Sequence, residues 1–330
     1  FLHCKKQNDF SHNPGYEFLV FQDDLSESIT NKLREGCRGL DEVACVKAGL
    51  QAYEKGKGIP KQSAEDVKSR PYDYTYQFNE DTYKYLDGSN VLRYAVNWTG
   101  QWLWYGNHLA APRTLNLFTD EKIIVREITS EFPHCLNAVY TSDTYLYNRS
   151  NIAVINREGE DINLKYILVL LNSTLLSFYF KKNTAKAERK LFPKIILNDL
   201  RLFPIKVISE DSQQPFIALA DTMLSLNQQL QEKRGRFLRR LSENFEGIKI
   251  TTALQQFDQL DFKEFVAELK KQKIKLSLVQ QDEWEDYFNQ YRQACQELSE
   301  QIKATDEEID RLVFDLYELT EEERRIVMEA

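Results

Sequence analysis

Six cations, Lys181, Lys182, Lys186, Arg189, Lys190 and Lys194, fall within fourteen consecutive residues, and Glu188 is the only acid among them. Such a run can neutralise several phosphates of a nucleic acid and release its condensed counterions. A solvated linker between two elements would carry the same residues. A second basic group, Lys47, Lys55, Lys57, Lys61, Lys68 and Arg70, surrounds a turn containing Gly56, Gly58 and Pro60. Glycine-containing loops on a rigid scaffold are a common means of bringing Lys and Arg to phosphates or base edges. Arg93, Arg113 and Arg126 add three guanidinium groups inside patterned blocks. Each could contact backbone or bases, and Arg126, on an expected strand, reads equally as an ion-pair partner.

Other chemistries find weaker support. Asn13-Pro14-Gly15-Tyr16 approaches the Asn/Asp-Pro-Pro-aromatic tetrapeptide that grips the amino group of an extrahelical adenine. It lacks the second proline and no glycine-rich turn precedes it, so it reads as a plain turn. Asp120-Glu121-Lys122 and Glu160-Asp161 are loose candidates for carboxylates that hold Mg²⁺, but short charged clusters of this kind usually cap turns. The histidines are His3, His12, His108 and His134, and adjacency of His134 to Cys135 does not by itself activate a thiol. Gly56-Lys57-Gly58 lacks the ending of a phosphate-gripping Walker loop. Cys4, Cys37, Cys45, Cys135 and Cys295 are odd in number and contain no C-x-x-C pair, which points to reduced thiols and no zinc site.

At 330 residues and 42% hydrophobic residues the chain can bury a substantial core and has room for two domains. Its net charge of −8 excludes a protein that coats nucleic acid over its whole surface, while leaving room for a local basic face. Acids crowd the stretch from 281 to the C-terminus. Phe1 in place of an initiator Met suggests a piece of a longer protein, and no secretory signal is visible. The apolar run 166–180 is too short, and too interrupted by Asn172, Ser173, Thr174 and Ser177, to span a bilayer. A buried helix in a cytoplasmic protein is expected.

The elements that would position these residues follow from periodicity. The first eighty residues suggest short strands and exposed loops. Alternating Tyr72, Tyr74, Tyr76 and Phe78 suggest a strand with one face on a core, or else a bank of exposed aromatics. Strands are expected at 122–128 and 151–155, with Asp161 as the N-cap of the helix that follows. Beyond Pro204 a seam of Phe216, Ala220, Met223, Asn227, Leu230, Arg234, Phe237 and Leu241 alternates gaps of four and three. A second seam runs from Trp284 through Phe288, Tyr291, Cys295, Leu298 and Ile302 to Leu316. Two such helices would cover each other most simply as an antiparallel hairpin, with 244–280 as an elaborated connection; an intermolecular coiled coil is the competing arrangement. Thr320 followed by Glu323 matches a capping box for a last short helix.

Several blocks carry a resemblance: KAGLQAY around Gly49, YLDGSNVLRY from Tyr85, YGNHLAAPR ending at Arg113, KIIVREI from Lys122, Leu171-Asn172-Ser173, FPKIILNDLRLFPI ending at Ile205, and the tail Asp310–Glu323. In wording and order they resemble the TaqI-like C-terminal specificity domain of restriction-modification proteins that fuse an adenine-specific DNA methyltransferase to its own recognition module. The resemblance runs from Val43 to the C-terminus, with one departure at Glu318, where many relatives carry Gly. It implies an α+β chain: a connecting segment at 1–42, a mixed α/β target-recognition domain at 43–206, and a long antiparallel helical hairpin, a coiled-coil-like spacer and docking domain, at 207–330. The implied partner is double-stranded DNA, together with methyltransferase and nuclease domains or subunits of a bacterial phage-defence system. Catalysis would reside in those partners, with S-adenosylmethionine and Mg²⁺, and this chain would carry no cofactor and no membrane contact. DNA contacts are then expected at Lys181, Lys182, Lys186, Arg189, Lys190, Lys194, Lys55, Lys57, Lys61, Arg70, Arg93 and Arg113. The alternatives are a divergent nuclease or methyltransferase fragment, and a coiled-coil adaptor that never touches DNA.

Overall fold

The computed structural model describes residues 24–184 and 193–330. Lys186, Arg189 and Lys190 lie outside the described residues, as do Asn13–Tyr16, Cys4, His3 and His12. The elements run α1 (Asp24–Arg34), β1 (Cys37–Gly39), α2 (Leu40–Val43), β2 (Ala44–Ala48), α3 (Ala64–Ser69), β3 (Asp73–Tyr74), β4 (Thr82–Leu86), β5 (Val91–Leu92), β6 (Ala95–Val96) and β7 (Trp102–Trp104). They continue with α4 (Asn116–Thr119), β8 (Lys122–Arg126), β9 (Ala138–Thr141), β10 (Leu146–Tyr147), β11 (Asn151–Asn156), α5 (Leu164–Asn172), α6 (Thr174–Asn183), α7 (Leu197–Arg201) and β12 (Pro204–Lys206). The remainder is helical: α8 (Glu210–Asn244), α9 (Thr252–Gln255), α10 (Phe262–Lys271), α11 (Leu278–Leu316) and α12 (Glu321–Met328). Three helices therefore join the short strands expected in the first eighty residues. Two compact units result, one comprising the described residues up to Ala220 with Ile309–Ala330, the other Asp221–Glu308.

In the first unit the central sheet has the order β2-β11-β8-β9, all antiparallel, and a second has the order β10-β4-β7-β3. The expected strands at 122–128 and 151–155 are β8 and β11. Ile123, Ile124, Val125, Ile152, Ala153 and Val154 are all fully buried, so these strands are covered on both faces. Each branched side chain so buried contributes roughly 1.5–3 kcal/mol. The expected aromatic strand shrinks to Asp73–Tyr74. Its rings pack on one another instead: Tyr74 stacks on Phe78 at 4.6 Å and Tyr72 on Tyr53 at 5.5 Å, while Tyr76 stays exposed.

The apolar run 166–180 is two buried helices, not one, and their N-caps are Asn163 and Ser173, not Asp161. Asn172 explains the break. Its side-chain amide donates to the Ala138 carbonyl at 2.9 Å and its Oδ1 accepts from the Ala138 N–H at 3.1 Å, fastening the end of α5 to β9. The Arg93 guanidinium donates twice to the Asn172 carbonyl, at 3.2 and 2.9 Å. Ser173 Oγ then accepts from Leu176 N–H, and Asp310 accepts from both the Thr174 N–H at 2.9 Å and its hydroxyl at 2.5 Å.

The C-terminal tail closes on this framework. The Tyr317 hydroxyl donates to the Pro204 carbonyl at 2.7 Å, and the capping box of Thr320 and Glu323 meets Lys32 at 2.8 Å. Glu318 has φ +57°, the left-handed position past the end of α11 that glycine fills at no steric cost, and its carboxylate pairs with Lys206 at 2.7 Å.

The second unit is an antiparallel helical hairpin with a helical connection. Phe245 lies against Trp284 at 5.3 Å and Phe237 against Tyr291 at 6.0 Å, so rising numbers on α8 meet falling numbers on α11. Phe265 of α10 stacks on Phe288 at 5.0 Å. The polar breaks in the first seam have partners: Arg234 forms a two-pronged pair with the buried Asp258 at 2.8 and 2.7 Å, and Asn227 donates to the Met223 carbonyl. Phe237, Phe288 and Cys295 are buried within the chain, so a second chain is not needed to cover them. The chain is thus α+β, a sheet unit combined with a helical hairpin.

Candidate nucleic-acid interface

A short antiparallel ribbon organises the cations of the first unit. Gln51 and Ala111 exchange backbone hydrogen bonds at 3.0 and 2.8 Å, Ala110 N–H donates to Ala52 O, and Ile59 N–H donates to Asn107 O at 2.8 Å. Gln62 is buried and holds the turn closed: its amide donates to the carbonyls of Ala52 and His108, and its oxygen accepts from Glu54 N–H, all at 2.8 Å. Gly58 has φ +82°, and a Cβ there would stand 2.4 Å from the His108 carbonyl oxygen. Only glycine allows this approach. The turn is therefore pinned at its base and displays Lys55, Lys57 and Lys61, all exposed, at its tip.

At the other end of the ribbon Arg113 donates to the Gly49 carbonyl at 3.4 Å. Gly49 is pressed against the Asn148 and Tyr147 carbonyls, where a Cβ would come within 2.3 and 2.5 Å. Arg113 borders a cavity of about 670 Å³ together with Lys47, Thr114, Asn116, Leu197 and Arg201. Lys47 and Arg201 complete a set of three cations that sequence reading did not assemble. The signal was present, because Lys47 begins one patterned block, Arg113 ends a second and Arg201 lies within a third, but their convergence depends on the packing of α7 beside β2.

The remaining expected contacts divide. Arg70 is held by Asp73 at 2.6 Å and lies over the Tyr53 ring at 4.7 Å, and Arg93 grips the end of α5, so both guanidinium groups have internal work. Lys181 and Lys182, in the last turn of α6, lie over the rings of Phe132 and Phe178 at 4.8 and 5.7 Å. Lys194 bridges to Ile128 and faces Glu127 at 3.7 Å. These three flank the part of the basic run that lies outside the described residues.

Nucleophilic chemistry gains no geometry here. Burial pushes the Cys135 and Cys295 thiols up to about 11, away from the reactive thiolate. Among the described residues no group of three His, Cys, Asp or Glu side chains could hold a metal ion, and no helix is long and apolar enough to cross a membrane. A second cavity, of about 560 Å³, is lined by Glu121, Glu160, Asp161 and Glu210 with Lys165. Arg38 binds Glu160 at 2.7 and 2.8 Å and holds its carboxyl below the usual range.

The blocks that build one side of the ribbon and the α5–α6 junction carry a family signature. Residues 83–205 match the TaqI-like C-terminal specificity domain. The match is narrower than the resemblance that begins at Val43, and residues 209–313 match a separate domain of unknown function. The specificity domain thus contains Arg93, Arg113, Lys181, Lys182 and Lys194, whereas the lysine turn precedes it. A protein of Methanocaldococcus jannaschii named as a candidate type II restriction enzyme and methyltransferase is 27% identical over 220 residues, 66% of this chain. The chain spans about one-sixth of that protein's length, the aligned part being 17% of it. Among solved structures, the type I restriction-modification S subunit from M. genitalium aligns at TM-score 0.34 and 14% identity, over 72% of this chain and 48% of that one. The HsdS subunit from Thermoanaerobacter tengcongensis aligns at 0.34 and 13%, over 75% and 50%. The type IIL restriction-modification enzyme MmeI in complex with DNA aligns at 0.44 and 9%, over 88% and 35%. The match to a specificity domain over 83–205 supports a role in DNA recognition.

Proposed function

We propose that this chain selects a short double-stranded DNA sequence for an adenine-specific methyltransferase, and for a nuclease, carried by other domains or subunits of a restriction-modification system. The specificity-domain match at 83–205 carries this reading, and the exposed cations at both ends of the ribbon agree with it. In this division of labour residues 43–206 read the target, residues 207–330 form the spacer and docking part, and residues 1–42 connect to what precedes them. S-adenosylmethionine and Mg²⁺ belong to the catalytic partners. Lys55, Lys57, Lys61, Arg113, Lys181, Lys182, Lys186, Arg189, Lys190 and Lys194 are the proposed contacts, with Arg70 and Arg93 acting through the loops that they brace. Phosphate contacts would set register and a few loop side chains would read bases.

The test is selection from a randomised duplex pool by the full chain, followed by anisotropy titrations of the enriched sequence at several salt concentrations. Enrichment of one short motif and an affinity that falls steeply with salt are expected. Reversing charge at Lys186, Arg189 and Lys190 should weaken that binding and flatten its salt dependence. A chain that binds no duplex even at about 50 mM salt, where phosphate contacts are strong, is not a DNA reader.

A further inference from the structure

We infer that the cavity bordered by Lys47, Arg113 and Arg201 is a phosphate-binding site which, if the DNA reading above holds, seats one backbone phosphate of the duplex. Its cations come from three separated parts of the chain, β2, the segment before α4, and α7, and its lining contains no acid. Lys47 and Arg113 have no acidic partner among the described residues. Arg201 is steadied from outside the lining by Asp41 at 3.5 Å and by the Val46 carbonyl at 3.2 Å. Like charges gathered in this way repel unless an anion joins them. Thr114 and Asn116 add neutral hydrogen-bond donors, while Ala48, Leu117, Ile155 and Leu197 form apolar walls that lower the local dielectric. Charge-assisted hydrogen bonds from several directions suit an ion with several equivalent oxygens, and about 670 Å³ leaves room for the attached sugar.

The backbone at Arg113 supplies an independent argument. Five described residues other than glycine have positive φ: Arg70, Tyr94, Arg113, Lys273 and Glu318. Arg70, Lys273 and Glu318 stand at the ends of α3, α10 and α11, and Tyr94 turns the β5–β6 hairpin. Arg113, with φ +65°, ends no helix and turns no hairpin, and it is held by the Tyr105 hydroxyl, which donates to its carbonyl at 2.7 Å. Strain of this kind, unrelieved by any capping role, marks a side chain whose direction matters. The ribbon also sets a scale. The eight residue steps from Gly49 to Lys57 reach at most roughly 29 Å, so the cavity edge and the lysine turn lie within one B-DNA turn, about 34 Å, of each other.

The experiment compares the full chain with the double variant Lys47→Ala/Arg113→Ala and with Arg113→Lys, leaving Arg201 in place because of its ties to Asp41 and Val46. Duplex affinity is measured from about 50 to 300 mM salt, and AMP is titrated separately as a free phosphate monoester by calorimetry. The expected result is a slope of log affinity against log salt lower by about 1 in the alanine variant, the signature of one lost phosphate contact, and unchanged in Arg113→Lys. Wild-type duplex binding with the same slope and affinity in the alanine variant overturns the cavity assignment and leaves the DNA reading standing. Loss of AMP binding in that variant, with no duplex bound by any form, keeps the phosphate site, assigns it to a free nucleotide and removes the DNA reading. Binding of neither ligand by the wild-type chain overturns the site.

Discussion

The basic cavity beside β2 and the acidic cavity beside α5 and α8 belong to the same unit and have similar volumes, about 670 and 560 Å³, yet their charges differ in kind as well as sign. The acidic lining is partly compensated: Lys165 stands within it and Arg38 grips Glu160 with two hydrogen bonds. The basic lining keeps two cations without acidic partners among the described residues. Net charge of −8 is therefore a poor guide to this surface. An acidic chain can still present a cationic spot, and surrounding negative potential would orient an approaching polyanion toward that spot and away from the rest.

Charge reversal at the basic cavity should give the largest effect. Lys47→Glu with Arg113→Glu is expected to weaken duplex binding by roughly 100-fold at low salt, about 2.7 kcal/mol, read by anisotropy. A change under threefold would break the contrast between the cavities.

Lys122 sharpens the contrast from another side, as a cation that neither cavity displays. It is fully buried, its ammonium donates to the Asp120 and Asp143 carbonyls at 2.8 Å each, and burial pushes it down to about 8, partly opposed by the Asp143 and Asp120 charges. Below pH 8 folded and unfolded chains both hold the proton, and the penalty for burying the charge is fully present. Between pH 8 and the ordinary lysine value of 10.5 the folded chain has lost the proton while the unfolded chain keeps it, so stability rises with pH. Relative to Lys122→Met, urea denaturation should show the wild-type chain gaining about 2 kcal/mol from pH 8 to pH 10. A flat difference would mean that water reaches this ammonium.

The smallest effect is expected at the acidic cavity. Glu121→Gln with Glu210→Gln should change duplex affinity by less than about twofold, and upward, since exposed distant charges are largely screened at physiological salt. A tenfold change in either direction would show that the acids do more than shape the field.

Much of the fold was legible in the sequence. β8 and β11 follow from their β-branched runs, and both long helices follow from seams whose polar interruptions, Asn227 and Arg234, proved to have partners in the same hairpin. The helix break at Asn172 was not legible, because apolar continuity across 166–180 hides an amide whose partner, Ala138, lies 34 residues away. The alternating aromatics misled for a related reason: a period of two describes side-chain direction in a strand, but the ladder with β7 stops at Tyr74, whose ring stacks on Phe78 instead.

Sequence alone determined the local quantities: which runs are buried, where cations crowd, and the order of blocks that match the specificity domain over 83–205. Tertiary structure decided which of those cations meet. Arg70 and Arg93, as promising as any by type and position, turned to Asp73 and to the end of α5, while Lys47, Arg113 and Arg201, separated by 66 and 88 residues, came together at one cavity. Coulomb interaction falls with distance in space, not along the chain, so only the path that brings β2, the segment before α4 and α7 side by side makes three scattered charges into one site.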